Sequence, residues 1–302
     1  MRCLIAVLLA GLFVPASGQL RIVSTDRLPL PVDRVWSAPH FSPDGTSIFL
    51  TTAGYRGIWQ FTPATLALRQ ICDDAGAGFG FTVSPDGGKV AYRRTLEGLP
   101  ANRRVQEAVE LDLRSGEQVV MVSGNDVPAP VYAGGQVLCS TTADLKNTLP
   151  VSGAATAVLG IEETKIAAVV NGVPVRLDPF HDGSYIWPSL SPDGTRLVAY
   201  EMSQGTFVAD LNGTVLAQFG RRDAPVWARS GRWLVYMNEK DDGHQITGSD
   251  IFCVSPDGKT TIRLTDTPAI ELLPACSPVD DRILVCTPAG EILVLRYEEE
   301  GR

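Results

Sequence analysis

Tyr185-Ile186-Trp187-Pro188-Ser189-Leu190-Ser191-Pro192-Asp193-Gly194-Thr195-Arg196-Leu197-Val198-Ala199-Tyr200 reads as a β-hairpin. One apolar run enters a Ser-Pro-Asp-Gly turn and a second leaves it. Pro192 presets φ, Asp193 bonds backbone two residues on, and Gly194 accepts positive φ. Leu197, Val198, Ala199 and Tyr200 suit a buried strand.

The unit returns along the chain. Ala38-Pro39-His40-Phe41-Ser42-Pro43-Asp44-Gly45 precedes Ile48-Phe49-Leu50, and Phe81-Thr82-Val83-Ser84-Pro85-Asp86-Gly87 precedes Val90-Ala91-Tyr92. Looser copies begin at Pro130, Pro225 and Pro274, each followed by its own apolar strand. The spacing between copies is about 37 to 58 residues, which brackets the period of a four-stranded propeller blade. Six copies predict an all-β chain, a six-bladed β-propeller of four-stranded antiparallel blades.

The two ends fit one ring. The sixth copy is followed by Glu291-Ile292-Leu293-Val294-Leu295-Arg296-Tyr297 and little else, so the last blade has three strands of its own. Leu20-Arg21-Ile22-Val23-Ser24 is a strand with no partner nearby. The expectation is that this N-terminal strand completes the last blade and removes its open edge. Blade 3 is the least regular, with an insertion over Leu145 to Gly153 and an Asn171-Gly172 hairpin turn.

Residues 1–18 read as a secretory signal. Arg2 supplies the positive end, Leu4 to Val14 the apolar stretch, and Ala16-Ser17-Gly18 the small residues before cleavage. Residues 19–302 then form one propeller domain, and the expected location is periplasmic or extracellular. No later apolar segment is long enough to span a membrane. Cys72, Cys139, Cys253, Cys276 and Cys286 follow the signal without metal-type spacing and read mostly as small buried apolar residues.

The chain has 302 residues, 44% hydrophobic and 20% charged, with a net charge of −8. Such acidity argues against a nucleic-acid partner held through phosphates. No Gly-x-Ser-x-Gly elbow and no phosphate loop occurs, and no cofactor is implied. Asp44, Asp86 and Asp193 occupy turn positions and are assigned to local backbone, not to catalysis.

The Pro-x-apolar-Ser-Pro-Asp-Gly pattern and Ser249-Asp250-Ile251-Phe252-Cys253-Val254-Ser255-Pro256-Asp257-Gly258 resemble the repeats of the TolB-type six-bladed propeller family. The resemblance runs from about Leu20 to Tyr297. The expectation is that the resemblance is to the propeller alone, without the α/β domain that precedes the propeller in that family. What it implies is an exported propeller that binds protein or envelope material.

Strand order sorts the loops. The Ser-Pro-Asp-Gly turns share one face of the ring, and the longer irregular loops share the other. Function lives preferentially on irregular loops held by a rigid scaffold. Arg93, Arg94, Arg103, Arg104, Arg221 and Arg222 are placed there, and guanidinium forks suit carboxylates and phosphates. Against a basic patch stands pairing with Glu97, Glu107 and Asp223. His181, Asp182, Asp241, Asp242 and His244 lie on the same face as ligand-binding candidates. They have the ligand types of a metal site but no diagnostic spacing, and no metal is expected. His40 reads as a core histidine.

The leading reading is a non-enzymatic binding module for an envelope or periplasmic protein or an anionic polymer. The alternatives are a propeller enzyme, such as a glycosidase, lyase or peptidase-related protein, using Asp and His on that face, and a structural subunit of an envelope complex.

Overall fold

The computed structural model describes residues 19–100, 103–139 and 155–300. The signal at 1–18 and the insertion at 145–153 lie outside the described residues. No described residue is helical, so no helix is long and apolar enough to cross a membrane.

The molecule is a six-bladed β-propeller. β1 (Leu20–Arg27) precedes blade 1, which is β2 (Trp36–Phe41), β3 (Ile48–Thr52), β4 (Ile58–Thr62) and β5 (Ala67–Cys72). Blade 2 is β6 (Thr82–Val83), β7 (Lys89–Thr95), β8 (Gln106–Asp112) and β9 (Gln118–Gly124). Blade 3 combines a short hairpin, β10 (Val131–Ala133) and β11 (Gln136–Leu138), with a three-stranded sheet, β12 (Ala157–Glu162), β13 (Lys165–Val170) and β14 (Val173–Leu177). Blade 4 is β15 (Tyr185–Leu190), β16 (Arg196–Glu201), β17 (Gly205–Asp210) and β18 (Val215–Gly220). Blade 5 is β19 (Asp223–Trp227), β20 (Leu234–Asp241), β21 (Ile246–Val254) and β22 (Thr261–Arg263). Blade 6 is β23 (Leu272–Cys276), β24 (Arg282–Cys286) and β25 (Ile292–Glu299), with β1 as its outermost strand.

β1 closes the ring as expected. It runs antiparallel to β25, from Leu20 opposite Glu299 to Arg27 opposite Leu293, three residues further than the sequence suggested. Leu20 is buried between blades 5 and 6.

The continuous apolar runs of the second strands follow from the packing. Each blade has a neighbour on both sides, so both faces of the strand are covered. Ile283 and Val285 pack toward blade 5, while Leu284 and Cys286 pack toward blade 1. Leu197 and Ala199 likewise face blade 3, and Val198 faces blade 5.

Four turns share one hydrogen-bond scheme. Ser42, Ser84, Ser191 and Ser255 donate Oγ–H to the following Asp44, Asp86, Asp193 and Asp257 at 2.5–2.6 Å. The same Oγ accepts the N–H of the fifth residue on, at 2.8–3.0 Å. The aspartate in turn accepts backbone N–H two residues on. Each of these aspartates is tied to its own turn by a serine hydroxyl and a backbone N–H, which explains why the Asp residues are structural. Asn171 and Gly172 adopt the two left-handed conformations of a tight hairpin, with φ of 51° and 79°.

Candidate functional site

The innermost strand of each blade has a free edge toward the central channel. Four of these strands carry the same irregularity. Ser37 pairs with Thr51 and His40 with Phe49, so Ala38 and Pro39 together face one residue. The same bulge occurs at Trp187-Pro188, Ala224-Pro225 and Leu273-Pro274. In each, the residue before proline is left-handed, with φ of 43° at Ala38, 52° at Trp187, 47° at Ala224 and 52° at Leu273. A side chain at φ > 0 is unfavourable, and a following proline restricts the residue to extended backbone. Proline also deletes one N–H from the exposed edge, which discourages pairing with another strand. Leu273 N–H is satisfied by Met237 Sδ at 3.5 Å, a soft acceptor from the neighbouring blade.

The bulges surround a cavity of about 390 Å³ at the irregular-loop end of the channel. Five blades line it; blade 2 contributes Gly78-Phe79-Gly80 in place of a bulge. Gly78 is required by close approach, because a Cβ there would stand 1.9 Å from Thr51 Oγ1. Gly78 N–H bonds Tyr55 O at 3.0 Å, which sets Phe79 edge-to-face against Tyr55 with ring centroids 5.2 Å apart. Trp187 packs edge-on against Tyr200 at 5.6 Å. Tyr55, Phe79 and Trp187 nevertheless remain 37%, 49% and 38% exposed.

His40 is not a core residue. It lines this cavity and two more at the turn end of the channel, and stacks edge-on against Phe81 at 5.2 Å. Its surface is open to the lumen, yet protein surrounds it. That enclosure disfavours the charged imidazole and pulls its pKa down to about 4.

The structure separates the four arginines. Arg93 and Arg94 belong to β7, which continues to Thr95 because Arg94 pairs across the ladder with Glu107 at 2.8 Å. Arg94 also approaches Asp74 at 3.7 Å. Arg221 is held by Asp223, Glu239 and Asp241 at 3.0, 2.6 and 3.5 Å. Arg93 and Arg222 have no ion pair among the described residues. Arg93 lies over Phe79 at 5.3 Å and donates to Val127 O, and Arg222 lies over Tyr236 at 5.1 Å. Burial leaves Arg222 Nε without a hydrogen-bond partner among the described residues.

His181 and Asp182 sit in the connection from β14 to β15, both left-handed and tied to Asp178 through their N–H groups. Asp241, Asp242 and His244 form the tip between β20 and β21, where Asp242 accepts the N–H of His244 and Gln245 at 2.9 Å. Those bonds hold the Asp242 carboxyl below its ordinary pKa. Among the described residues, no group of three or more His, Cys, Asp and Glu is placed to hold a metal ion.

With this geometry the chain matches solved propellers. TolB from Acinetobacter baumannii superposes with a TM-score of 0.56 at 19% identity, covering 81% of this chain. The likeness shows a shared β-propeller fold. The chain spans 57% of the length of that TolB structure. Oligogalacturonate lyase from Vibrio parahaemolyticus gives 0.51 at 14% identity, covering 86% of this chain and 76% of the lyase. The Swd1 propeller domain of Myceliophteria thermophila gives 0.59 at 10% identity, covering 90% and 99%. No protein-family model and no curated protein matches the sequence.

The aromatic mouth is what sequence reasoning missed. Part of its signal was present in the residue-Pro pair that recurs at Pro39, Pro188, Pro225 and Pro274 and marks the strand facing the channel, with Trp187 in one such pair.

Proposed function

We propose that the chain is an exported, TolB-like propeller acting as a non-enzymatic binding module, with the irregular-loop face toward its partner. The observation that carries this reading is the open cavity at that end of the channel, lined by five blades, three of which expose Tyr55, Phe79 and Trp187. Contiguous exposed aromatics on a rigid frame mark interaction sites. Among the described residues the lining holds one imidazole and no carboxylate, so it offers no pair of carboxylates for acid–base work. That composition supports binding over catalysis.

The partner is an acidic envelope or periplasmic protein or an anionic polymer. Arg93 and Arg222 carry this part of the reading, because their charge is not neutralised by a described carboxylate. Arg94 and Arg221 serve to orient the acids around them.

The test is capture from envelope extract by immobilised protein. Replacing Arg93 and Arg222 together by Ser should reduce recovery of the partner severalfold and make the remainder less salt-sensitive. Undiminished recovery by a normally folded Arg93→Ser/Arg222→Ser variant would remove these residues from the interface.

A further inference from the structure

The channel mouth has a chemistry of its own. Its three exposed rings are held by packing: Tyr55 against Phe79, and Trp187 against Tyr200. Pro39, Pro188, Pro225 and Pro274 line the cavity and carry no N–H. The polar side chains of the lining are few: His40, Ser189 and the Tyr55 hydroxyl. Among the described residues, none in the lining is Asp, Glu, Lys or Arg. The protein around His40 lowers its pKa, which favours the uncharged imidazole. The volume of about 390 Å³ falls in the range of small-molecule sites, ~300–1,000 Å³.

The same features disfavour an extended peptide. A strand that added to an inner edge would need its N–H donors, and four of the six inner strands replace one with proline at the bulge. A compact ring needs no such ladder. Its faces meet Phe79 and Trp187, and one polar substituent reaches His40 or Ser189.

We propose that the channel mouth is a receptor site for a small uncharged aromatic molecule, its ring seated among Tyr55, Phe79 and Trp187. This rests on the reading that the irregular-loop face is the binding face, and it adds a ligand distinct from the acidic partner. A left-handed residue before proline at four positions is an unfavourable backbone state, and such states persist where the surroundings need them. Here they bring Trp187, Leu273 and two alanines to the mouth, so these four positions set its width.

Titration calorimetry at pH 7 tests the site with three probes: 2-naphthol, 2-naphthoate and N-acetyltryptophanamide. The expected result is saturable binding of one 2-naphthol per chain, with 2-naphthoate at least tenfold weaker. Phe79→Ala and Trp187→Leu should each weaken 2-naphthol at least tenfold. Leu216→Ala, an exposed change on the outer strand β18, should leave it unaltered. Phe79→Leu serves where Phe79→Ala does not fold. Absence of saturable binding, equal binding of the naphthoate, or indifference to the mouth substitutions would overturn the proposal. Saturable binding of N-acetyltryptophanamide, also a small uncharged aromatic, would support the site as well. The two readings fail separately: Arg222 lies over Tyr236 outside the lining, so Arg222→Ser tests partner capture and should leave 2-naphthol binding intact.

Discussion

Leu20 stands opposite Glu299 in the antiparallel pair that joins β1 to β25. The contact spans nearly the whole described chain. Glu299 is almost wholly buried and accepts from Arg232 of blade 5 at 2.8 Å, so the closing strand and the blade interface meet at one point.

Closure should therefore be sensitive to one side chain. Leu20→Ala removes a buried group between two blades and should cost about 2–5 kcal/mol. Val23→Ala, at the bulge of the same strand and 46% exposed, should change stability by less than about 0.5 kcal/mol. Chemical denaturation of the two variants checks the difference, and equal small losses would mean that β1 contributes little to the ring.

The turn serines should behave alike. Ser191→Ala removes an Oγ that both donates to Asp193 and accepts Arg196 N–H, leaving a backbone donor without that partner. The expected loss is about 1–3 kcal/mol, and Ser42→Ala and Ser84→Ala should fall in the same range. Unfolding midpoints are the readout.

Acid should weaken the same turns. The Ser hydroxyl hydrogen bonds hold Asp44, Asp86 and Asp257 below the ordinary carboxylate range. A folded pKa below the unfolded one adds stability that is present above the unfolded value, near ~4, and lost as pH falls through the folded value. Stability measured by urea from pH 5 downward should fall, and Asp44→Asn/Asp86→Asn/Asp257→Asn should flatten the slope. A slope unchanged in that variant would place the acid sensitivity elsewhere.

The bulges store strain that glycine relieves. Ala38→Gly should raise stability by about 1 kcal/mol, the balance of relaxed left-handed backbone against greater freedom of the unfolded chain. A destabilised variant would show that the φ of 43° at Ala38 is comfortable in its setting.

Much of the scaffold was legible because its causes are local. Ser191-Pro192-Asp193-Gly194-Thr195-Arg196 contains all the groups its turn uses, so one short stretch suffices to read it. The closing strand was legible by subtraction, since blade 6 lacked a partner for its outer edge. Other features depend on residues far away. β7 runs through Arg94 because Glu107 waits on the facing strand, which residues 93–104 alone do not reveal. His40 sits in an apolar run that suits a core, and only closure of the ring turns that side of β2 toward a lumen. The left-handed residues are opposite to what a following proline implies, because inter-blade packing overrides the local preference.

Trp187 gives a direct optical check of the mouth. It is 38% exposed, whereas Trp36, Trp59, Trp227 and Trp233 are 6% or less. Acrylamide should quench one fraction of the tryptophan emission readily, and Trp187→Phe should remove that fraction. Equal quenching of wild type and variant would mean the ring is covered.

The most direct measurement of the binding face is hydrogen exchange of the chain alone and with a partner recovered from envelope extract. Protection is expected at Tyr55, around Gly78 and Phe79, and in the connection that carries His181 and Asp182, with the Ser-Pro-Asp-Gly turns at Ser42, Ser84 and Ser191 unchanged. Protection confined to those turns, with the channel mouth exchanging as in the free protein, would contradict the account.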